Sequence, residues 1–391
     1  MKSIPDKQSF SPLKHFLRAL YSWVPYINPV MIESPELQQV DRTYVQYKGR
    51  KLIYFAGCDY FRMASHPEVL KAVKDGLDQY GLNVAASRLT TGNHKLYGLL
   101  EGSLANFFGA ESALLASNGY APNLMVAQAL AGQFSHALID ERAHCALVDA
   151  AQLLDCPIIK FKHRSPDDLG QILKRLGKIK PLFMTDGMFS HDGSIAPLQE
   201  YVHLLPAQGL ILLDDAHGAG ILGKTGRGTP EHAGVPRKQI IQTITLSKAF
   251  GVYGGAVLGS NSLKKSIVAK SRLFVGNTPL PLPLANAAIQ SIRILKADKN
   301  LRKRLIQNTN TFKVALNNGG FEIQNNSSPV VPIIPQNAKQ TARLNQQLLT
   351  SGIYPPFIKY PGGPQSGYFR FVFSSEHTQE QLNLLLKALL V

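Results

Sequence analysis

From residue 51 onward the chain alternates short apolar runs with longer segments of helical spacing. Short apolar runs are typical of buried strands, and apolar residues recurring every three to four positions are typical of helices. The alternation predicts an α/β fold, with a mostly parallel sheet covered by helices on both faces. The predicted strands are 112–116, 137–140, 157–161, 181–185, 210–213, 240–246 and 255–258, and the clearest intervening helices are 124–131 and 146–154.

At 391 residues the chain is long enough for a large domain and a smaller one. We predict an N-terminal segment at 1–50, a large domain at 51–284 and a small α/β domain at 285–391. The first segment is rich in proline and aromatic residues up to about Gln46, which predicts an irregular arm. The small domain is predicted to contain a long helix from residue 285, strands at 329–334 and 368–374, and a closing helix after residue 378.

The composition, 45% hydrophobic and 17% charged, is typical of a soluble globular protein. No apolar run reaches the roughly 18 residues that a membrane span needs, and a weak apolar stretch at 16–24 contains Arg18. We therefore predict a cytoplasmic protein without a membrane span. The three cysteines have neither metal-ligand spacing nor an even count, so reduced thiols and no metal site are expected.

The formal net charge of +16 is high for a metabolic enzyme. It indicates either a solvated basic surface or an anionic partner, such as a phosphorylated substrate or an acidic carrier protein. No recognition motif accompanies the charge, so nucleic acid is not predicted as a partner.

Two segments are predicted to form the halves of one site, LLDDAHGAG at 212–220 and TLSKAFG at 245–251. In each, polar residues follow an apolar run, and ligands of parallel sheets bind at the carboxyl ends of strands. A lysine that can form a Schiff base, here Lys248, and a buried carboxylate that pairs with a pyridinium nitrogen, here Asp214, are typical of a pyridoxal phosphate pocket.

Three further elements fit that pocket, and each also has a plain structural explanation. His217 can donate to the ring's phenolic oxygen or form a structural pair with the acid. The segment 117–121 offers backbone amides to a phosphate, with Thr245 as an added hydroxyl, or is an ordinary turn before a helix. His144 can stack on the ring or merely cap its helix.

The order of motifs resembles the α-oxoamine synthases, which are fold-type I pyridoxal phosphate enzymes, and is closest in pattern to their 8-amino-7-oxononanoate synthase branch. The resemblance runs from about residue 54 to the C-terminus. It is carried, besides the two segments above, by SRLTTG at 87–92, NGYAPN at 118–123, DERAH at 140–144, FSHDGSIAPL at 189–198 and FRF at 369–371.

The resemblance implies a role for each matching position. Lys248 would be the Schiff-base lysine, Asp214 the partner of the ring nitrogen, His217 the donor to the ring oxygen and His144 the stacking ring. The remaining implied positions are Gly119, Tyr120 and Thr245 at the phosphate, Ser190 beside the ring, Arg370 on the amino-acid carboxylate, and Thr278 on the phosphate of the neighbouring subunit in a homodimer with shared sites.

Some positions depart from the family's usual pattern. The chain has CDYFR at 58–62 where relatives usually have Asn-Asp-Tyr followed by Leu-Gly, Tyr97 where histidine is common, and YPGGP at 360–364 near the expected acyl channel. These changes predict altered acyl or amino-acid choice more than altered chemistry.

The implied reaction is a decarboxylating condensation of an amino acid with an acyl thioester, on coenzyme A or a carrier protein, to give an α-amino ketone. Alanine is the favoured amino acid. A relative that uses glycine or serine, including the non-decarboxylating ligase type, is the alternative. A hypothesis of another class is a non-catalytic protein that keeps the fold and binds an anionic partner.

Overall fold

The computed structural model describes residues 35–360 and 363–390. Most of the predicted N-terminal arm lies outside the described residues. An irregular chain up to Gln46 is nevertheless wrong for its last part, because β1 (Gln38–Asp41), β2 (Tyr44–Tyr47) and β3 (Arg50–Ile53) form a small sheet. Each of these strands has only four residues, too few for a clear alternation of polar and apolar side chains.

The central sheet has seven strands in the order β4-β10-β9-β8-β7-β5-β6. Only β10 runs antiparallel to its two neighbours, so the predicted mostly parallel sheet is confirmed. Its strands are β4 (Ser112–Ala116), β5 (His136–Asp140), β6 (Ile158–Phe161), β7 (Pro181–Asp186), β8 (Leu210–Asp214), β9 (Ile240–Thr245) and β10 (Gly255–Gly259).

Helices cover both faces of this sheet, because alternate strand residues enter different apolar clusters. In β8, Leu212 packs in the cluster that contains Val126 and Leu147, whereas Leu213 packs in the cluster that contains Leu169 and Tyr201. Between residue 35 and the end of the central sheet, the helices are α1 (Pro67–Tyr80), α2 (Lys95–Phe108), α3 (Ala121–Leu130), α4 (Cys145–Gln152), α5 (Pro166–Leu176), α6 (Leu198–Leu204) and α7 (Thr229–His232).

The C-terminal part builds a third, antiparallel sheet in the order β11-β13-β12. Its strands are β11 (Val330–Ile333), β12 (Phe357–Ile358) and β13 (Tyr368–Val372). The helices after the central sheet are α8 (Asn261–Lys270), α9 (Arg272–Val275), α10 (Leu282–Ala297), α11 (Lys299–Asn318), α12 (Ala338–Thr350) and α13 (Gln379–Leu389). Within the described ranges, no helix is both long and apolar enough to cross a membrane.

The parallel register aligns the carboxyl ends of three strands. Asp186 at the end of β7 lies opposite Asp214 at the end of β8, and Asp214 lies opposite Thr243 on β9. Lys248 follows β9 by three residues. The edge at which ligands bind to such sheets therefore carries two acids and the candidate lysine.

Lys313 on α11 is a buried lysine outside this edge. Its titration makes the free energy of unfolding depend on pH in the alkaline range. Its ammonium donates to the backbone and side-chain oxygens of Asn326, both at 2.8 Å, and burial lowers its pKa to about 8. Because the unfolded chain binds this proton more tightly, the native state gains stability as pH rises from about 8 to 10.5.

We therefore expect the free energy of unfolding of wild type, relative to Lys313→Met, to increase by roughly 1–3 kcal/mol between pH 7.5 and 10. Urea denaturation of both proteins at each pH measures the difference. A gap that is constant or shrinks with pH would contradict the lowered pKa.

Candidate active site

Lys248 lies at the centre of the candidate site, directly after β9. Its side chain has no hydrogen-bond or ion-pair partner among residues 35–360 and 363–390. Burial lowers the pKa of its ammonium, and the nearby Arg370 guanidinium lowers it further, while Cys58 and Asp214 act in the opposite direction. Burial thus acts toward the neutral amine, which is the form that serves as a nucleophile or base.

Asp214 is a buried carboxylate at the end of β8, 5% exposed. It accepts hydrogen bonds from Asn123 Nδ2 at 2.7 Å and from the Ala216 N–H at 3.1 Å, and Thr243 Oγ1 donates to Asn123 Oδ1 at 2.7 Å. It forms no salt bridge within the described part of the chain. A buried carboxylate normally needs a cationic partner, so Asp214 is suited to a cationic ligand.

His217 is buried in the loop after β8, and its Nδ1 lies 2.7 Å from the Tyr60 hydroxyl. Burial lowers the pKa of the imidazole well below its usual value, and the Lys248 ammonium and the Arg370 guanidinium lower it further. The ring is thus neutral. Tyr60 fixes one ring nitrogen, so the other is the atom able to donate to a ligand.

His144 precedes α4 and caps it, as the structural alternative stated, because its Nδ1 accepts from the Ala146 N–H at 3.2 Å. Its own backbone N–H donates to Asp186 at 2.8 Å. The imidazole meets the Tyr120 ring edge to face, with centroids 6.2 Å apart. Capping and stacking on a ligand do not exclude each other, since the cap uses only an edge of the ring.

The candidate phosphate-binding loop joins β4 to α3 and packs against the end of β9. A Cβ atom built on Gly119 would lie 2.6 Å from both Cβ and Oγ1 of Thr245, so this loop has to carry glycine there. Asn118 Oδ1 accepts from the N–H groups of Tyr120 at 2.9 Å and Ala121 at 3.0 Å. The structure therefore brings Gly119, Tyr120 and Thr245 together.

Arg370 reaches the site from β13. Its Nε donates to the backbone oxygen of Ser190 at 2.5 Å, and Nη1 and Nη2 lie 3.8 and 3.7 Å from Cys58 Sγ. Ser190, the predicted neighbour of the ring, is thereby held beside the guanidinium. Thr278 lies apart from these contacts, in the irregular segment between α9 and α10, where it lines a small cavity with Ser117 and Met125.

The donors and charges of this edge fit pyridoxal phosphate. Burial and the neighbouring Asp214 raise the pKa of Asp186 to about 8. Burial alone would lower the pKa of His144, but the Cys145 thiol, Asp214 and Asp186 raise it to about 9. Asp214 contributes to both shifts, and a pyridinium beside it would neutralise that charge. The loop at Gly119 leaves backbone approach free for a phosphate, and Lys248 lies within electrostatic reach of both acids.

Four residues of this edge were missed by sequence reasoning. Asn123 and Tyr60 stand in recognised motifs, but nothing in the motifs says which side chain they contact. Asp186 carries the same signal as Asp214, an acid directly after an apolar run, and could have been found from it. Cys58 was recognised only as a departure from the usual pattern.

A separate cluster has metal-ligand chemistry. One donor atom each of His163, His191 and Asp192 lie within 4.8 Å of one another. Asp140 holds the His163 ring at 3.0 Å, and Arg142 Nη1 lies 3.3 Å from His191 Nε2 and 4.0 Å from Asp192. The guanidinium already supplies a cation to this cluster.

Gly119→Ala is expected to weaken pyridoxal phosphate binding by at least tenfold, or roughly 1.4 kcal/mol, because the new methyl group would have to move Thr245 or the loop. Fluorescence titration of the cofactor-free protein measures the affinity. Gly102→Ala, at an exposed position of α2 where a Cβ would have no neighbouring atom within 4 Å, is the matched control. An unchanged dissociation constant for Gly119→Ala would contradict the role of this loop.

Comparisons with known proteins identify the family of the chain. The profile of the aminotransferase class I and II family matches residues 51–389. The chain is similar to an 8-amino-7-oxononanoate synthase of Thioalkalivibrio sulfidiphilus, with 37% identity over 87% of this chain and 88% of the relative.

Two solved structures are similar over most of both chains. A serine palmitoyltransferase from S. paucimobilis, described with a bound PLP-myriocin adduct, is 27% identical with a TM-score of 0.85 and covers 97% of this chain and 95% of its own. An 8-amino-7-oxononanoate synthase from Francisella tularensis is 26% identical with a TM-score of 0.74 and covers 87% and 97%.

The fold and the site thus define a fold-type I pyridoxal phosphate transferase, as predicted. The chain belongs to the aminotransferase class I and II family, and within it to the α-oxoamine synthases. The predicted enzyme class, an acyltransferase, and the predicted cofactor, pyridoxal 5'-phosphate, are confirmed at this level. The hypothesis of a non-catalytic binding protein is set aside.

Proposed function

We propose that this enzyme condenses an amino acid, with alanine favoured, with an acyl thioester and releases carbon dioxide and the free thiol to give an α-amino ketone. The observation that carries the proposal is the arrangement of Lys248, Asp214 and Arg370 around one edge of the central sheet. Pyridoxal phosphate, when bound, supplies an electron-poor ring that stabilises negative charge on the α-carbon.

Each residue has a distinct task in this proposal. Lys248 Nζ, with its pKa lowered by burial, takes the proton from the α-carbon and can return one. Asp214, fixed by Asn123, holds a cationic nitrogen through its carboxylate. His217, neutral and oriented by Tyr60, donates a hydrogen bond from its free ring nitrogen.

Arg370 would bind the amino-acid carboxylate through its two Nη atoms, since its Nε is already bound to Ser190. A planar guanidinium matches a carboxylate with two parallel hydrogen bonds. The acyl thioester would carry a phosphorylated pantetheine arm, on coenzyme A or a carrier protein, and the net charge of +16 suits either donor.

The homodimer with shared sites is also part of the proposal, with Thr278 on the phosphate of the neighbouring subunit. Cross-mixing tests it, because a heterodimer of Lys248→Ala and Thr278→Ala subunits would restore one intact site. A cytoplasmic location remains a prediction.

The second candidate substrate is serine or glycine. It is favoured by the structural similarity to serine palmitoyltransferase, with a TM-score of 0.85. The same catalytic residues would act on either amino acid, so the choice depends on the space beside the α-carbon.

An amino-acid panel tests the proposal. Alanine, glycine and serine are each incubated with acyl-coenzyme A and acyl carrier protein of several chain lengths, and thiol and carbon dioxide are measured together. Release of thiol and carbon dioxide in equal amounts with alanine supports the proposal. Release only with serine or glycine moves the assignment to the second candidate, thiol without carbon dioxide indicates the ligase type, and no release with any pair refutes all of them.

A further inference from the structure

Cys58 occupies the part of Arg370 that a substrate carboxylate needs. The guanidinium directs Nε to Ser190 O at 2.5 Å and both Nη atoms to a single sulfur, at 3.8 and 3.7 Å. An arginine fork with two free Nη atoms normally takes two oxygens of one carboxylate. In this chain the fork meets a sulfur atom instead.

The surroundings of the sulfur favour its anionic form. Burial would raise the pKa of the Cys58 thiol, but Arg370 and Lys248 together lower it below its usual value, and the hydrogen bonds from Arg370 act in the same direction. In return, Cys58 raises the pKa of Arg370 against the effect of burial. Both shifts, and the approach of both Nη atoms to the sulfur, act toward an ion pair between a Cys58 thiolate and the Arg370 guanidinium.

We propose that Cys58 is a specificity-determining residue whose sulfur acts as an internal anion on Arg370, which the amino-acid carboxylate has to displace. This inference rests on the proposed function, because it assumes that Arg370 binds that carboxylate. It involves no covalent step. When a competitor inside the site occupies Arg370, the apparent dissociation constant of the amino acid equals the intrinsic one divided by the fraction of time that the guanidinium is free.

The charge of residue 58 should therefore set the KM for the amino acid. Cys58→Ser replaces the sulfur with a neutral hydroxyl of similar size, and Cys58→Asp places a permanent carboxylate at the fork. We expect KM to be about five- to tenfold lower in Cys58→Ser and at least about 50-fold higher in Cys58→Asp than in wild type, as for a site that is free about a tenth of the time. The effect should fall on KM much more than on kcat.

A side chain with a merely structural role would give no such order. Loss of packing in both variants would raise KM or lower the melting temperature in both. A KM that is highest in Cys58→Asp, intermediate in wild type and lowest in Cys58→Ser would therefore overturn that explanation. Equal or higher KM in Cys58→Ser than in wild type overturns the inference. Holoenzyme is used throughout, with equal cofactor content confirmed for each variant.

A second measurement needs only the wild-type holoenzyme. Iodoacetamide is added with and without the amino acid, and mass spectrometry of peptides follows alkylation at residue 58, with Cys156 as the internal reference. We expect the amino acid to slow alkylation of Cys58 relative to Cys156, because the carboxylate takes the cation that keeps the sulfur anionic. An unchanged ratio would overturn the inference.

Arg370→Lys separates the two levels of the proposal. If wild type turns over no amino acid, or if Arg370→Lys leaves KM unchanged, the proposed function or the role of Arg370 is wrong. If Arg370→Lys raises KM while the Cys58 variants keep the wild-type value, only the inference about Cys58 is wrong.

Discussion

Lys248→Ala is expected to lower turnover by at least about 10⁴-fold, the upper end of the range for a positioned general base. The variant loses both the covalent anchor of the cofactor and the amine whose pKa burial lowers. A water molecule in the space left by the Lys248 amine cannot replace it as a general base, because the water is not held at a fixed position. Thiol release under saturating substrate measures the loss.

The control for this variant is Lys178→Ala, at an exposed position before β7. It should keep wild-type turnover. Cofactor content of both proteins is determined after denaturation, so that a loss of activity is not confused with a loss of cofactor. Turnover of Lys248→Ala within tenfold of wild type would remove Lys248 from the catalytic step.

Asp214→Asn should lower kcat by about 10²- to 10³-fold, the usual size for removing one electrostatic group from a dry site. The amide keeps the shape of the carboxylate but does not hold the proton on the ring nitrogen. Because the amide oxygen still accepts from one of the two donors, Asn123 Nδ2 or the Ala216 N–H, the fold should survive. The absorbance of the bound cofactor and kcat are measured together.

Asp215 is the natural comparison, since it is the next residue and is also buried. It accepts from Thr229 N at 2.9 Å, Thr229 Oγ1 at 2.6 Å and Gln242 Nε2 at 2.6 Å, all of them structural donors. Asp215→Asn should therefore cost about 1–3 kcal/mol of stability while retaining most of kcat per folded molecule. If instead Asp215→Asn lost kcat and Asp214→Asn lost only stability, the assignment of the two acids would be reversed.

The sequence was sufficient for the parts of the site that depend on chain order. The sequence predicts every end of the central strands to within one residue, and it predicts Asp214 and Lys248 at the carboxyl ends of neighbouring strands. Strand ends are readable because apolar runs stop where the chain leaves the core, and polar residues follow.

Contacts between distant segments were not readable. Cys58 and Arg370 are 312 positions apart, and Tyr60 and His217 are 157 apart. A single sequence has no pattern that links such distant positions, because the packing of separate sheets decides whether their side chains come into contact. The small sheet of β1, β2 and β3 was not predicted for another reason. Strands of four residues are too short to show an alternation of polar and apolar side chains.

Gly255, the first residue of β10, is paired with Ala116 of β4 on one side and with Thr245 of β9 on the other. A Cβ on Gly255 would lie 2.4 Å from the backbone oxygen of Asn118, so this position has to be glycine. The same residue therefore fixes both β4, which leads to the phosphate loop, and β9, which leads to Lys248. Arg370 and Cys58 belong to neither of these strands. Substitutions at Cys58 therefore leave the backbone pairing beneath the cofactor residues in place, and their effect on the site is a change in the charge beside Lys248.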